Sequence, residues 1–187
     1  MHKLTLHPVQ NVDELAFPEK PVHISLNSPA KAFFTDFIDS EPMVIESSVT
    51  AVEARNMMIK THVRLKLVVD ENNRFLGIID AEHLSDQYIL LQATNTGLSS
   101  LKEVLVSELM TRKKDLTALN YSELVLSTIG DVVNCLQDNY QQHCLVVDRE
   151  NHKIRGLFSA SDISRKLRLP IDIHEQSSFA RVFSAVS

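Results

Sequence analysis

The sequence predicts a mixed α/β fold in which two copies of a β-α-β-β-α unit pack sheet to sheet as one pseudo-two-fold module. The stretch LVVDENNRFLGIID at residues 67–80 matches LVVDRENHKIRGLFS at residues 145–159. Each stretch reads as two short apolar strands joined by a polar turn, the pattern of a β-hairpin. Segments with the apolar spacing of helices flank both hairpins, so the chain contains an internal repeat.

Composition places the chain among ordinary globular proteins. Its 187 residues are 44% hydrophobic and 23% charged. No apolar run is long enough to cross a bilayer, and the N-terminus lacks the apolar core of a signal peptide, so we expect a cytoplasmic protein without membrane insertion. The two cysteines, Cys135 and Cys144, form no C-x-x-C pair and are expected to be buried free thiols. A net charge of −5 disfavours nucleic acid as a partner.

The repeats set the predicted boundaries: 1–28 N-terminal extension, 29–93 first repeat, 94–103 linker, 104–170 second repeat and 171–187 C-terminal tail. The extension is polar and contains three prolines, and residues 22–26 alternate like an edge strand. In the tail, Phe179, Val182, Phe183 and Val186 stand at helical spacing. They predict a short helix that packs on the body of the protein or, as an alternative, docks on a partner.

The first repeat is predicted to begin with a helix capped by Ser28 and started by Pro29, burying Phe33, Phe34, Phe37 and Ile38. Thr50 and Glu53 have the spacing of a capping box at the start of the next helix. The elements are predicted at 29–38 (helix), 43–45 (strand), 50–61 (helix), 64–69 and 75–79 (strands around the turn 71–74) and 81–93 (helix). A break follows at residues 94–97.

The second repeat follows the same order. Ile129, Val132, Val133 and Leu136 mark one buried helix face by their i, i+3, i+4, i+7 spacing. The elements are predicted at 98–110 (helix), 116–119 (strand), 129–136 (helix), 144–148 and 154–158 (strands around the turn 149–153) and a helix that continues to residue 169. The second copy has about six extra residues in the region 120–126 and one more in its hairpin turn.

These repeats resemble a tandem pair of cystathionine-β-synthase (CBS) domains, also called a Bateman module, over roughly residues 32–169. The stretch GLFSASD at residues 156–162 matches the family pattern of glycine, two hydrophobic residues, Thr or Ser, two further residues and Asp. The resemblance implies a non-enzymatic regulatory module that binds an adenosine nucleotide between the repeats and signals to an unknown protein partner. It also implies a homodimer, and the chain looks like a stand-alone module.

The family pattern implies roles for three residues of the second repeat. Asp162 would accept hydrogen bonds from both ribose hydroxyls, and Ser159 near a helix start would suit phosphate oxygens. Gly156 would let the backbone pass close to neighbouring groups. Residue types alone allow another interpretation, in which Ser159 or Ser161 only caps the helix and Asp162 only complements the helix dipole.

By the same resemblance, the ligand site includes further residues from both repeats. Lys114, Leu116 and Thr117 come from the strand that opens the second repeat, and Leu116 would lie against the base. Val63 and Arg64 come from the central strand of the first repeat, and Arg64 could reach phosphate as a forked donor. No cofactor is required, and AMP, ADP, ATP or a related adenosine compound is the expected ligand.

The first repeat departs from the family pattern at the equivalent position. Asp80 stands where the hydroxyl is expected, and His83 stands where the carboxylate is expected. Because Asp80 would repel phosphate, we expect this second cleft to be empty or to take something else. His143 and Gln142 would face it, and a metal site of Asp80, His83 and His143 is a weaker alternative.

Two other functional classes compete with the nucleotide-binding hypothesis. The clefts could be vestigial, leaving a structural module for dimerisation or protein interaction without a ligand. A metal-dependent enzyme is the third class. The sequence contains no glycine-rich phosphate loop with lysine, nucleophile elbow or H-E-x-x-H motif, so we expect no catalytic activity.

Overall fold

The computed structural model describes residues 24–168 and residue 171. Within them, the strands are β1 (Thr35–Asp36), β2 (Val44–Glu46), β3 (Leu65–Val69), β4 (Phe75–Asp80), β5 (Thr111–Arg112), β6 (Ala118–Asn120), β7 (His143–Asp148) and β8 (Lys153–Ser159). The helices are α1 (Ala51–Thr61), α2 (Asp86–Thr96), α3 (Val106–Leu109), α4 (Tyr121–Leu124), α5 (Ile129–Asp138) and α6 (Ala160–Leu167). The strands form two four-stranded sheets, in the orders β2-β3-β4-β5 and β1-β8-β7-β6. The predicted α/β fold of two similar units is confirmed.

Local sequence signals account for the two long helices that precede the hairpins. At the start of α1, the Thr50 hydroxyl accepts a hydrogen bond from the Glu53 backbone N–H at 3.3 Å and donates to the Glu53 carboxylate at 2.8 Å. Thr128 and Asp131 form a corresponding reciprocal cap at the start of α5. The apolar face predicted for α5 is buried. Both predicted helices are therefore confirmed.

Both predicted hairpins are confirmed and have equivalent geometry. β3 pairs antiparallel with β4, and β7 pairs antiparallel with β8. Each pair has a shift of register next to a valine, at Val68/Val69 and at Val146/Val147. Asn73 and His152 adopt the left-handed conformation in the two turns, with φ of 58° and 52°. The extra residues of the second copy form the short helix α4.

The two repeats exchange their opening strands, which the sequence did not predict. β1 of the first repeat pairs antiparallel with β8 of the second, placing Asp36 opposite Gly156. Arg155 on β8 donates two hydrogen bonds to the Asp36 carboxylate, at 2.7 and 2.8 Å. β5 of the second repeat pairs with β4 of the first, so that Gly77 lies opposite Arg112. Each sheet is thus completed by a strand from the other repeat.

The hydrophobic cores follow the same exchange. Ala30 and Phe33, which precede β1, are buried in the core of the second repeat together with Phe158. The residues that precede β5 are buried in the core of the first repeat: Val104, Val106 and Leu109. Neither core is complete without residues from the other repeat.

Two predicted helices are wrong for the same physical reason. The segment 29–38 contains a 3₁₀ helix at Ala30–Ala32 and then β1, and Ile38 is 71% exposed. The segment 98–110 contains a 3₁₀ helix at Leu101–Glu103 and the short α3. Backbone hydrogen bonds with the start of α1 hold residues 104 and 106 outside a continuous helix, from Ala51 to Val104 and from Val106 to Val49. In both segments, contacts with distant parts of the chain outweigh local helical spacing.

The third correction concerns α2, which begins at Asp86 rather than at residue 81. Residues 81–85 form turns because the Asp80 carboxylate accepts a hydrogen bond from the His83 backbone N–H at 2.9 Å. Ser85 then caps the helix, and Gly97 ends it with a φ of 68°. This shift moves His83 out of the helix and toward Asp80.

Some predictions fall on residues that the structure does not describe. They concern the extension up to residue 23 and the tail after residue 171, including the predicted tail helix. Residues 24–26 of the expected edge strand are not in a strand. Among the described residues, no helix is both long and apolar enough to cross a membrane. Cys135 and Cys144 are free thiols. Cys144 is buried as expected, which raises its pKa to about 11, whereas Cys135 is only partly buried.

Candidate functional site

An open cavity of about 590 Å³ lies where the end of β8 meets the start of β3. Both repeats contribute to its wall. Among the polar side chains along it are those of Arg64, His143, Ser159, Ser161 and Asp162, and the wall also includes Thr35, Ser40, Glu41, His62 and Arg165. We call this cavity the Ser159 groove. Four predicted site residues line it together: Val63, Arg64, Ser159 and Asp162.

Ser159 ends β8 and directly precedes α6. Its side chain makes no capping hydrogen bond to α6, although its backbone has the position of the cap. The Ser159 and Ser161 hydroxyls are instead hydrogen-bonded to each other at 2.8 Å. The Ala160 backbone N–H donates to the Gln142 carbonyl at 3.0 Å, so it is not available to a ligand in this arrangement. The pair of hydroxyls, rather than a capping serine, is what the second repeat presents to the groove.

Asp162 lies in the first turn of α6 and is half-buried beside the groove. Arg165, one helical turn later, forms an ion pair with its carboxylate. The Arg165 side chain is 76% exposed, so it can move away at little cost when a ligand approaches. Asp162 can therefore accept charge-assisted hydrogen bonds from a neutral polar ligand.

Arg64 and His143 approach the groove from the starts of β3 and β7. Arg64 is exposed and follows His62, whose left-handed conformation ends α1. His143 lies opposite Ser159 in the β7–β8 pair. Burial lowers the pKa of His143, and Arg64 acts in the same direction, whereas Asp80 and Asp162 act against it. His143 is thus a neutral polar group between two carboxylates and one guanidinium near neutral pH.

A second cavity, of about 210 Å³, surrounds the equivalent position of the first repeat. We call it the Asp80 groove. Its wall includes Asp80, Glu82, Leu116, Thr117, Gln142 and His143. Gln141 donates a hydrogen bond to the Thr117 hydroxyl at 3.0 Å. The predicted site residues Leu116 and Thr117 therefore lie in this groove and not in the Ser159 groove.

The exchange of strands explains this placement. Because β1 pairs with β8, the segment after β1 runs along the Ser159 groove and contributes Phe37 and Met43. Because β5 pairs with β4, the segment after β5 brings Leu116 and Thr117 to the Asp80 groove. Thr35, Phe37 and Met43 were missed from the sequence because no local signal shows which sheet an opening strand will join.

Two further predicted site residues lie away from both grooves. Lys114 is exposed in a 3₁₀ helix at Lys113–Asp115 and lines neither cavity. Gly156 is buried in β8, where an added Cβ would lie 2.2 Å from the Thr35 carbonyl oxygen and 2.4 Å from the Phe34 ring. The close approach that Gly156 permits is therefore to β1, within the fold.

The Asp80 groove has a different chemistry, as expected. The Asp80 carboxylate and the His83 ring nitrogen Nδ1 are 2.9 Å apart. Burial acts to raise the pKa of Asp80, but the hydrogen bonds from His83 outweigh it and the pKa is lowered. The Asp80 carboxylate raises the pKa of His83 against the effect of burial. The two side chains form an ion pair when His83 is protonated. This groove therefore presents a carboxylate that is already hydrogen-bonded, where the other groove presents hydroxyls.

The hypothesis of a metal site at Asp80, His83 and His143 gains no support from the geometry. In the described part of the chain, no three His, Cys, Asp or Glu side chains come together in a way that could hold a metal ion. Asp80 and His83 are already engaged with each other.

Comparisons with known proteins agree with this architecture. The CBS domain family matches the chain at residues 34–89 and again at residues 106–169. No curated protein matches the sequence significantly.

Among solved structures, an uncharacterized conserved protein from Pyrococcus horikoshii is similar over 80% of this chain and 98% of its own. Its sequence identity is 21% and its TM-score is 0.56. CBSX2, solved in complex with AMP, is 17% identical over 74% of this chain and 95% of its own, with a TM-score of 0.55.

The CBS domain pair of protein MJ0100, solved with 5′-methylthioadenosine and S-adenosyl-L-methionine, is 19% identical to this chain. The match covers 75% of this chain and 96% of that one, with a TM-score of 0.52. The two family matches span most of the two repeats, and the similar structures share the paired fold. The chain therefore belongs to the CBS domain family and contains two CBS domains in tandem.

Proposed function

We propose that this chain is a non-enzymatic regulatory protein that binds an adenosine nucleotide or a derivative of one in the Ser159 groove. The observation that carries the proposal is the arrangement around this cavity. A pair of serine hydroxyls, the Asp162 carboxylate and the Arg64 guanidinium all line one open space of about 590 Å³. That volume lies within the usual range for small-molecule sites, about 300–1,000 Å³.

Each polar group suits one part of such a ligand. Asp162 would accept hydrogen bonds from the two ribose hydroxyls, and Ser159 would donate to a phosphate oxygen. Arg64 would pair with the phosphate as a forked donor. Phe37 and Met43 would supply apolar surface to the base, the part expected of Leu116 from the sequence.

The family and its structures add support. CBSX2 was solved with AMP, and the CBS pair of MJ0100 was solved with 5′-methylthioadenosine and S-adenosyl-L-methionine. A ligand held between Arg64 of the first repeat and Asp162 of the second would favour one arrangement of the two repeats. A protein partner could bind one arrangement of the repeats in preference to the other.

The Asp80 groove belongs to the same proposal as a site that does not accept a nucleotide phosphate. The Asp80 and Glu82 carboxylates would repel an anion, because the single His83 beside Asp80 can balance at most one of the two negative charges. We therefore expect one adenosine ligand per chain.

The first test is a thermal-shift screen with AMP, ADP, ATP, NAD and S-adenosylmethionine, followed by titration calorimetry. At 100 times its dissociation constant, a ligand should stabilise the protein by about 2.7 kcal/mol. Asp162→Asn should weaken binding by about 1.5–3 kcal/mol, roughly 10- to 150-fold in Kd, because it removes hydrogen bonds to a charged group.

Asp138→Asn is the matched control, since Asp138 is exposed on α5 and lines neither groove. It should leave the affinity unchanged. The proposal would be overturned if no adenosine compound raised the melting temperature at millimolar concentration. Equal affinities for the two variants would show that Asp162 does not contact the ligand.

We also propose that two copies of the chain pair through α1 and α2 of the first repeat. These helices expose Met57, Leu90 and Leu91 to 41%, 56% and 56%. Light scattering should give the mass of a dimer, and Leu90→Asp should shift it toward the monomer. A monomer at all concentrations would contradict this part of the proposal.

A further inference from the structure

A separate cavity of about 590 Å³ is lined by the hairpin turns of both repeats. The β3–β4 turn, the β7–β8 turn and the 3₁₀ helix that follows β5 all contribute to its wall. The apolar part of the wall consists of the half-buried residues Phe75, Val147 and Ile154. None of the described residues on this wall belongs to the Ser159 groove or to the Asp80 groove. We call this space the hairpin cavity.

The charged side chains on the wall of the hairpin cavity are mostly cationic. Among the described residues of the wall, Asp148 is the single carboxylate. Counting His152 as neutral, the wall has an excess of three positive charges, in a chain whose net charge is −5. Four exposed cations produce this excess: Arg74, Lys113, Arg149 and Lys153.

The chain does not neutralise these four cations by direct pairing. In the part of the chain that the structure describes, none of them takes part in an ion pair. The Asp148 carboxylate instead accepts hydrogen bonds from the Asn151 backbone N–H at 3.0 Å and from the Asn151 side-chain amide at 2.8 Å. Three exposed acidic residues lie in the same segments but do not line the cavity: Glu71, Asp115 and Glu150. The positive charge therefore remains available to an anion from outside the chain.

Hydrogen bonds and strand pairing fix the backbone of both turns beside the cavity. In the first turn, the Asp70 N–H donates to the Arg74 carbonyl at 3.0 Å, and the Asp70 carboxylate accepts from the Arg74 N–H at 2.8 Å. In the second turn, Asp148 pairs with Lys153 across the hairpin, and His152 is left-handed with a φ of 52°. Because this backbone is already ordered, an anion that binds here has only side chains to order, which lowers the entropic cost of binding.

The fold does not require basic residues at this place. Gly77 pairs with Arg112 in the first sheet as Gly156 pairs with Asp36 in the second. Counted from these pairs, the basic run RKK at residues 112–114 corresponds to DFI at residues 36–38. The exchanged strand of the other repeat thus completes its sheet without a basic run. A structural requirement of the strand exchange therefore does not explain the cations at the hairpin cavity.

The charge and size of the hairpin cavity match an anion with two linked phosphate groups. A phosphate monoester carries about 1.5–2 negative charges at pH 7 and offers three acceptor oxygens. Two such groups together balance an excess of about three positive charges, whereas a carboxylate balances one. The cavity volume of about 590 Å³ also lies within the usual range for small-molecule sites, about 300–1,000 Å³.

We propose that the hairpin cavity is a binding site for an anion with two linked phosphate groups. Arg74 and Arg149 hold the phosphate oxygens as forked donors, and Lys113 and Lys153 add positive charge. Free pyrophosphate and a nucleoside diphosphate share this chemistry, and the base of a nucleoside diphosphate would lie against Phe75. The site has no wall residue in common with the Ser159 groove, so it does not depend on the function proposed for that groove.

The test is titration calorimetry of the full chain with pyrophosphate and with uridine diphosphate, at low ionic strength and without divalent cations. Lys113→Gln combined with Arg149→Gln should weaken binding at least about tenfold, because two charge-assisted contacts are lost. The matched control, Arg112→Gln combined with Lys114→Gln, removes the same charge from exposed neighbours that do not line the cavity. It should change the affinity less than about threefold, since such charges are screened.

The relative affinities of the two probes identify the source of the phosphate groups. Tighter binding of uridine diphosphate would indicate a nucleoside diphosphate, and tighter binding of pyrophosphate would indicate the free ion. The affinity for AMP, measured with the same variants, should stay unchanged, which separates this site from the Ser159 groove.

Four results would overturn the proposal. The first is that neither probe binds at millimolar concentration, and the second is that the control pair weakens binding as much as the test pair. The third is that Arg64→Gln, in the Ser159 groove, abolishes binding while the test pair does not. The fourth is that an oligoglutamate peptide binds the cavity more tightly than both probes, which would assign it to an acidic protein segment.

Discussion

At the scale of single residues, the Asp80–His83 pair makes a pH-dependent contribution to stability. The direction of this pH dependence follows from the pKa shifts of the two side chains. The pKa of His83 is raised in the folded state, so its contribution is complete below 6.5 and is lost as the pH rises through the folded-state value. The pKa of Asp80 is lowered, so its contribution is present above 3.8 and is lost as the pH falls. The pair therefore stabilises the fold most between about pH 4 and 6.5.

A double-mutant cycle of Asp80→Asn and His83→Gln, measured by urea unfolding, isolates this contribution. We expect a coupling free energy below about 1 kcal/mol at pH 5.5, because the side chains are partly exposed, and a smaller one at pH 8.5. The cycle is necessary because His143 acts in the opposite direction. Burial lowers its pKa, so its contribution falls as the pH falls below 6.5. A coupling that stays constant between the two pH values would contradict the ion pair.

Only some residues of the candidate site could be predicted from the sequence. That Ser159 and Asp162 line one cavity could be predicted, because both lie within one strand-to-helix junction. Asp80 and His83 could be recognised as different because they occupy the same junction in the other repeat. Phe37 and Met43 could not be identified, since their position depends on the pairing of β1 with a strand more than a hundred residues later.

At the scale of elements, the exchanged strands β1 and β5 depend on one glycine each. A Cβ at Gly156 would lie 2.2 Å from the Thr35 carbonyl oxygen, and a Cβ at Gly77 would lie 2.2 Å from that of Thr111. Both contacts are with backbone, which cannot move aside without breaking the strand pairing. We expect Gly156→Ala and Gly77→Ala each to lower the free energy of unfolding by about 1–3 kcal/mol, the usual cost of overpacking.

Gly130→Ala is the matched control, and thermal or urea unfolding is the measurement. The added Cβ would meet its nearest atom, the Leu26 carbonyl oxygen, at 3.3 Å, in a helix that favours alanine over glycine. Its free energy of unfolding should change by less than about 1 kcal/mol. If Gly156→Ala were as stable as Gly130→Ala, the close approach of β1 to β8 would be refuted.

The elements also show why part of the fold could be predicted. The hairpins and the helices α1 and α5 have strong local signals: polar turns, capping pairs and one apolar face. The segments 29–38 and 98–110 have helical spacing too, but their apolar residues enter the core of the other repeat. Phe33 is buried as expected, although by a 3₁₀ turn and a strand rather than by a helix.

At the scale of the whole molecule, the reciprocal exchange makes the two repeats one folding unit. Within the described residues, the core of the first repeat contains Val104, Val106 and Leu109 from the second repeat. Burial of a valine or leucine side chain contributes about 1.5–3 kcal/mol. Three of them contribute about 5–9 kcal/mol, which is comparable to the whole stability of a small domain, about 5–15 kcal/mol. A single repeat cut from the chain should therefore lose most of its stability.

A fragment of residues 24–97 should accordingly show no cooperative unfolding by circular dichroism, whereas the full chain should unfold in one transition. The control keeps all residues and breaks only the connection. A protease site inserted after Ser99, which is exposed between the repeats, allows the folded chain to be cleaved there. The two halves should stay together through gel filtration and melt as one species, because the exchanged strands and side chains still complete each core. A cooperative transition of the 24–97 fragment alone would show that the first repeat folds without the residues it receives.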